Sequence, residues 1–221
     1  MGLNSAPSAL FHLVHEIGSL GTKIPDALRP NQAIIRAMAR HVAFLRAVNV
    51  GRRVVKMERL RQAFQALELT NVETFIASGN VIFESPTRTE ILEARLEKHL
   101  QQELGYNVAT FIRSVGELAA IVSHNAFPAA ELEITDNTLF IAFLRREPAA
   151  ESQKKLLDCV SAVDEFRFHK RELYWLCRTR MSESEFSGAR LEKLLGVAMT
   201  VRNANTVRRL VAKYPVSGRP G

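Results

Sequence analysis

The sequence contains few cysteines, no long apolar run and none of the common catalytic motifs. Its two cysteines, Cys159 and Cys177, are too few for a secreted disulfide framework and fit a reducing cytosol. No apolar run approaches the roughly 18 residues of a membrane-spanning helix, so we expect a cytoplasmic protein with no membrane partner. The sequence has no Gly-x-Ser-x-Gly elbow, Walker loop, His-Glu-x-x-His pair or Cys-x-x-Cys pair. It therefore indicates no catalytic residue, no metal and no cofactor, and enzymatic activity stays open.

The composition is that of an ordinary folded protein. Hydrophobic residues make up 47% and charged residues 24% of the 221 residues, which excludes disordered and fibrous classes. Lys and Arg number 30 against 23 Asp and Glu, which gives a net charge of +7. Such an excess favours anionic partners but says nothing about the fold.

From His41 the apolar pattern predicts strands and helices in the order βαββαβ, followed by one more helix. Residues 42–48 form the first buried strand in this interpretation, and a helix with apolar residues at helical spacing follows. A hairpin across 78–80 joins the next two strands. A leucine-striped helix ends at Gly105, and Ser114 begins the trailing helix after the fourth strand.

The second half of the chain repeats this pattern. It begins with a strand at 138–144, continues through a hairpin across 169–171 and a helix that ends at Gly196, and closes with a strand at 197–201 and a last helix. The repeat predicts an α+β protein of two tandem ferredoxin-like βαββαβ units that arose by internal duplication. Each unit is expected to be an antiparallel sheet with helices on one face and a trailing helix.

Breaks in composition predict the domain boundaries. Residues 1–37, interrupted by glycines and prolines, are expected to be an N-terminal extension outside the core. The first unit is predicted at 38–124, an acidic linker at 125–137, the second unit at 138–214 and a flexible tail at 215–221.

Several stretches resemble a bacterial family, the domain-of-unknown-function family 1697. The residues are FLRAVNVG at 44–51, IASGNVIFES at 76–85, LEKLLG at 191–196 and TVRNANTV at 200–207. The resemblance covers about residues 40–214 and implies two ferredoxin-like halves in a cytosolic bacterial protein, with no established reaction. Ala204 stands where the family usually has a tryptophan, so a stacking surface is not expected there.

A polar cluster between the first strand and its helix is a candidate site for a small anionic or nucleotide-like ligand. Free backbone N–H groups and the helix dipole favour an anion at such a position. The βαββαβ topology places the hairpin turn at the same sheet edge, so its polar groups join the cluster. The candidate residues are Arg46, Asn49, Gly51, Lys56, Ser78, Gly79 and Asn80. Because Asn and Gly also serve turns and basic residues also solvate loops, a purely structural interpretation stays open.

A second polar cluster begins the last helix. Asn203, Asn205 or Thr206 can cap that helix, and capping alone is sufficient to explain the motif. The alternative is that the two halves bring Arg202 and Asn203 towards Arg46, which would form one cationic cleft.

Three other functions remain open on the sequence alone. Nucleic-acid binding fits the βαββαβ order of RNA-recognition motifs, but it needs exposed aromatic residues on the first and third strands. The candidates there, Phe44 and Phe83, lie in strands predicted to be buried, so we expect such binding to be weak and electrostatic. The others are an enzyme acting on an anionic substrate and a structural or interaction protein. The sequence does not indicate the oligomeric state.

Overall fold

Two four-stranded antiparallel sheets form the framework of the protein. The computed structural model describes residues 38–46, 48, 55–76 and 79–215. The predicted extension at 1–37 and residues 216–221 of the predicted tail lie outside the described residues.

The elements of the first half follow the predicted order. They are β1 (Ala39–Leu45), α1 (Met57–Gln65), β2 (Thr70–Phe75), β3 (Asn80–Ser85), α2 (Thr89–Leu104), β4 (Thr110–Ser114) and α3 (Val115–Ser123). A short helix, α4 (Ala129–Leu132), lies within the segment predicted as the linker.

The elements of the second half repeat that order. They are β5 (Thr138–Leu144), α5 (Ala150–Leu157), β6 (Asp164–His169), β7 (Glu172–Cys177), α6 (Gly188–Leu195), β8 (Met199–Asn203) and α7 (Ala204–Lys213). The strand order is β2-β3-β1-β4 in the first sheet and β6-β7-β5-β8 in the second. The protein is therefore an α+β protein with two similar sheet units, as predicted, and this similarity fits a duplication.

Local signals at the helix ends act as predicted. Gly105 and Gly196 adopt left-handed conformations, with φ of 78° and 63°, and end α2 and α6. Ser114 and Glu117 form a reciprocal capping box at the start of α3: the Ser114 side chain accepts from the Glu117 N–H, and the Glu117 carboxylate accepts from the Ser114 N–H.

The first strand lies three residues earlier than the predicted 42–48. Ala39 and Arg40 pair with Ser85 and Glu84 of β3, and the Arg40 guanidinium donates to the Glu84 carboxylate at 2.7 Å. The partner strands set these limits, and the apolar pattern along a single strand does not reveal them.

Apolar residues form three core layers. One lies between the first sheet and α1 and α2, and another between the second sheet and α5 and α6. The central layer joins the inner faces of both sheets with α3 and α7, and in it the rings of Phe44 and Phe143 stack with centroids 4.2 Å apart. None of the described helices is long and apolar enough to cross a membrane.

The trailing helix of each half contacts the sheet of the other half. The Tyr174 hydroxyl in β7 donates to the carbonyl of Ile121 in α3 at 2.8 Å. Just after α7, the Tyr214 hydroxyl donates to the carboxylate of Glu73 in β2 at 2.6 Å. The described residues accordingly belong to one compact unit, in which the halves share a core.

Candidate functional site

The end of β1, the turn between β2 and β3, and the start of β4 lie together, as the topology predicted. The Leu45 N–H donates to the Gly79 carbonyl at 2.8 Å, and Leu45 pairs with Thr110. The Arg46 N–H donates to the Ala109 carbonyl at 2.8 Å. We call this end of the first sheet the β1 edge, comprising Leu45, Arg46, Gly79, Asn80 and Thr110. The candidate residues Asn49, Gly51 and Ser78 lie outside the described residues.

Arg46 pairs with a carboxylate of the other half. Its guanidinium forms an ion pair with Glu192 of α6, and both side chains are partly exposed. The Glu192 carboxylate also accepts from the Met199 N–H at 3.4 Å. Arg46 therefore lies at the junction of the two halves, with its charge balanced. Lys56 lies elsewhere, in a groove between α1 and α2 with Arg59 and Glu103.

Gly79 and Asn80 shape the turn at this edge. Gly79 has a φ of +75°, and a Cβ atom there would lie 3.1 Å from the Leu45 carbonyl oxygen, so a side chain would be strained and crowded. Asn80 is buried; its amide donates to the Phe75 carbonyl at 3.1 Å, and its Oδ1 accepts from Arg202 Nε at 2.9 Å. Asn80 thus connects the turn to the second half.

Arg202 reaches the β1 edge from β8. Its Nη2 donates to the Leu45 carbonyl at 2.9 Å, and its guanidinium lies over the Phe44 ring, 5.6 Å from the centroid. Its Nη1 donates to Thr200 Oγ1 at 2.8 Å. Burial lowers the pKa of Arg202 to about 10, because the protein removes water from the charged group.

Asn203 has the capping role that the sequence favoured, and Asn205 provides the N–H that it caps. Asn203 Oδ1 accepts from the Asn205 N–H at 2.8 Å at the start of α7. The structure therefore brings Arg202 to the β1 edge and uses Asn203 as a helix cap.

The sequence analysis did not single out Arg113. This residue reaches from the first half to the second, as Arg202 reaches from the second half to the first, and we call each of these two contacts a crossing. Arg113 Nε donates to Glu172 of β7 at 2.8 Å, and its Nη2 donates to the Leu144 carbonyl at 3.1 Å. Its guanidinium lies over the Phe143 ring, 5.6 Å from the centroid. Arg113 and Glu172 are buried, with side-chain exposures of 1% and 5%.

Arg113 and Arg202 occupy equivalent positions in the two halves. Each is the fourth residue of its strand, and each immediately precedes the cap of a trailing helix, Ser114 or Asn203. This shared placement is the signal in the sequence that could have revealed Arg113.

The two crossings differ in the charge of the side chain that accepts a hydrogen bond from the arginine Nε. Glu172 is the first residue of β7, and the equivalent first residue of β3 is Asn80. A carboxylate thus faces Arg113, whereas a neutral amide oxygen faces Arg202. The number of residues between the elements differs as well: 11 residues, 46–56, separate β1 from α1, and five, 145–149, separate β5 from α5. The β1 edge therefore precedes a longer connecting segment, and it has an amide where the second half has a carboxylate.

Two aromatic residues that nucleic-acid binding would need are buried. Phe44 and Phe83 are fully inaccessible, which confirms the prediction that their strands are buried. Neither ring is available to stack on a base.

Two histidines from different halves of the chain come into contact. The rings of His124 and His169 stack with centroids 4.1 Å apart. Burial, and then the neighbouring His169, lower the pKa of His124. Across the part of the chain that the structure describes, no three His, Cys, Asp or Glu side chains are grouped as metal ligands.

Comparisons with known proteins place this architecture in a family. The conserved bacterial protein SP0830 from Streptococcus pneumoniae has a similar fold, with a TM-score of 0.63 and 24% identity; the similarity covers 80% of this chain and 98% of that one. No curated protein matches the chain. Residues 38–174, from the start of the described region into β7, match the family described as "Protein of unknown function (DUF1697)". Because the match spans more than half of the sequence, the chain belongs to the DUF1697 family.

Proposed function

We propose that the protein binds a small anionic ligand, through a phosphate or carboxylate group, at the β1 edge beside Arg202. The observation that supports this proposal is the meeting of two arginines at this end of the first sheet: Arg46 just after β1 and Arg202 from β8. In the second half the Glu172 carboxylate accepts from Arg113, and in the first half the amide oxygen of Asn80 accepts from Arg202.

The electrostatics of Arg202 favour such a ligand. Its pKa of about 10 lies below the usual 12.5, which corresponds to about 3 kcal/mol of lost solvation for the charged form. The group remains protonated at neutral pH. An anion placed nearby would offset part of that cost through its charge.

Arg46 gives the site a second cation. It pairs with Glu192 across the halves with both side chains partly exposed, so an incoming anion can compete with Glu192 for its guanidinium. Nucleotides and phosphorylated metabolites are the ligand classes to test first.

The test is a calorimetric titration of the full chain with inorganic phosphate, with acetate and with adenosine monophosphate. We expect Arg202→Gln and Arg46→Ala each to weaken binding about tenfold to hundredfold, the effect of one charge-assisted bond. Lys154→Gln is the control, because it removes an exposed positive charge on α5 that pairs with Asp158. The phosphate and acetate arms distinguish the two kinds of anion.

Asn80→Asp is the decisive variant, since it places a carboxylate against Arg202 as Glu172 does against Arg113. The variant loses the amide donor to the Phe75 carbonyl and buries a carboxylate, and the ion pair with Arg202 offsets part of that cost, so a thermal scan has to show first that the variant is folded. Anion binding should disappear, because the site then contains its own anion. Unchanged affinity in a folded Asn80→Asp variant would contradict the proposal, as would the absence of binding to any probe by the wild-type chain.

We also propose that each half is a ferredoxin-like unit and that the halves arose by duplication. The shared strand order supports this, and so do equivalent backbone bonds: Leu45 N–H to the Gly79 carbonyl in one half, and Leu144 N–H to the Arg171 carbonyl in the other. Superposition of the halves in an experimental structure tests it, and a different strand order in either half would contradict it.

A further inference from the structure

The two outermost strands β2 and β6 differ in regularity, although they occupy equivalent places in their sheets. The pairing of β2 with β3 shifts register between Thr70 and Glu73, and Asn71 within it has a φ of +50°. The pairing of β6 with β7 continues without a shift over all six residues, Asp164 to His169. Irregularity protects an edge strand from pairing with another chain, so β2 is protected in this way and β6 is not.

The outer edge of β6 presents backbone groups for hydrogen bonding. The Asp164 carbonyl accepts from the Ser161 N–H at 2.9 Å, so it points away from β7. Backbone groups alternate in direction along an antiparallel strand, so the N–H and carbonyl groups of Phe166 and Phe168 also point away from β7. Among the described elements, β6 pairs with β7 alone.

An exposed apolar surface flanks this edge. Leu157 and Val160, at and just beyond the end of α5, are 43% and 46% exposed. They line a groove of about 500 Å³ together with Phe166 and Phe168 of β6. A strand added beside β6 would cover these side chains while its backbone pairs with the edge.

We infer that this edge binds a second copy of the same chain, with the two β6 strands antiparallel and Phe166 on the two-fold axis. The charged residues of β6 favour pairing with a second copy of the chain, and they favour this register. With Phe166 on the axis, Glu165 of each copy lies opposite Arg167 of the other, and opposite charges across an antiparallel pair are favourable. With Arg167 on the axis, two arginines would oppose each other.

The resulting interface joins the second sheets of both copies into one continuous sheet. Arg167 and Glu165 already pair within the chain at 2.7 Å, so the cross-copy pairs extend an existing ion-pair network. Glu165 also binds Arg178 at 2.6 Å, which holds its carboxylate at this face. An interface of one strand pair and the exposed apolar surface beside it is small, so we expect a dissociation constant in the micromolar range, about 1–100 μM.

The experiment measures the mass of the full chain by sedimentation and light scattering, at protein concentrations from about 1 to about 300 μM, chosen to bracket that constant. We expect the mass to rise with concentration from 24.8 kDa to twice that value. Val160→Glu places a charge in the exposed apolar surface beside β6 and should keep the chain monomeric. Ile91→Glu is the matched control, because Ile91 on α2 is 45% exposed and lies in the first half. It should dimerise like the wild type.

Arg167→Glu and hydrogen exchange test the register. The Arg167→Glu variant places Glu opposite Glu165 of the other copy and should weaken association at least tenfold. Exchange of the Phe166 and Phe168 amides should slow as the concentration rises. A chain that stays monomeric over the whole range overturns the inference, and so does a dimer that Val160→Glu and Arg167→Glu leave intact. Protection of both amides in a monomer would indicate that another segment of the same chain covers the edge, and it also overturns the inference.

Discussion

Replacing Glu172 by alanine should destabilise the protein severely, because Arg113 would remain buried without its carboxylate. Arg113 is only 1% exposed, and Glu172 Oε1 is the charged acceptor of its Nε at 2.8 Å. Its remaining acceptors are main-chain carbonyls, including those of Ile112 at 2.9 Å and Leu144 at 3.1 Å. These satisfy hydrogen bonds but do not balance the charge.

The expected magnitude follows from the burial of both partners. Removing one member of a buried ion pair costs about 3–5 kcal/mol, a large part of the roughly 5–15 kcal/mol that stabilises a typical domain. For a chain of this size, the loss corresponds to a fall of about 6–20 °C in melting temperature. Glu172→Gln should cost less than Glu172→Ala, since its amide oxygen still accepts from Arg113, but it should remain clearly destabilising because the charge of Arg113 is still unbalanced.

The assay is urea unfolding followed by circular dichroism, with Asp158→Ala as the control. Asp158 pairs with Lys154 on the surface, where the side chains are 61% and 74% exposed, so its loss should cost at most about 1 kcal/mol. If Glu172→Ala is no more destabilising than Asp158→Ala, the crossing does not connect the halves energetically and the reasoning is wrong.

Three further predictions concern pH, the N-terminal extension and nucleic acid. Burial lowers the pKa of His41 and, together with the neighbouring His169, that of His124. The unfolded chain therefore binds protons that the folded chain excludes, and the free energy of unfolding from urea titrations should fall as the pH falls below about 6.5. His41→Leu should reduce the change of the free energy of unfolding with pH. An unchanged pH dependence would show that His41 does not cause it. A chain that begins at Met38 should melt within about 5 °C of the full chain in a thermal scan, and a larger drop would show that the extension supports the core. Filter binding should detect only weak RNA association that salt abolishes, and tight, selective binding at high salt would contradict this expectation.

Much of the fold was predictable from local patterns. Periodicity revealed the order of strands and helices in both halves, and Gly105, Gly196 and Ser114 marked helix ends where the structure has them. Such signals act over one or two turns of helix, so neighbouring residues determine them. The topology also placed the end of β1 beside the turn at Gly79, because the strand order alone requires it.

The partners of the charged residues depended on how the two halves pack. The sequence indicated Arg46 as a candidate anion-binding residue, and it did not reveal the partner Glu192, which lies 146 positions away on the other half. Arg113 and Glu172 are 59 positions apart, and Arg202 and Asn80 are 122 apart. Local periodicity specifies which face of a strand or helix is apolar, and it does not specify which second sheet that face meets or in what orientation. The sequence by itself therefore determined the two units and the composition of their edges, whereas the tertiary structure alone decided which arginine meets a carboxylate and which meets an amide.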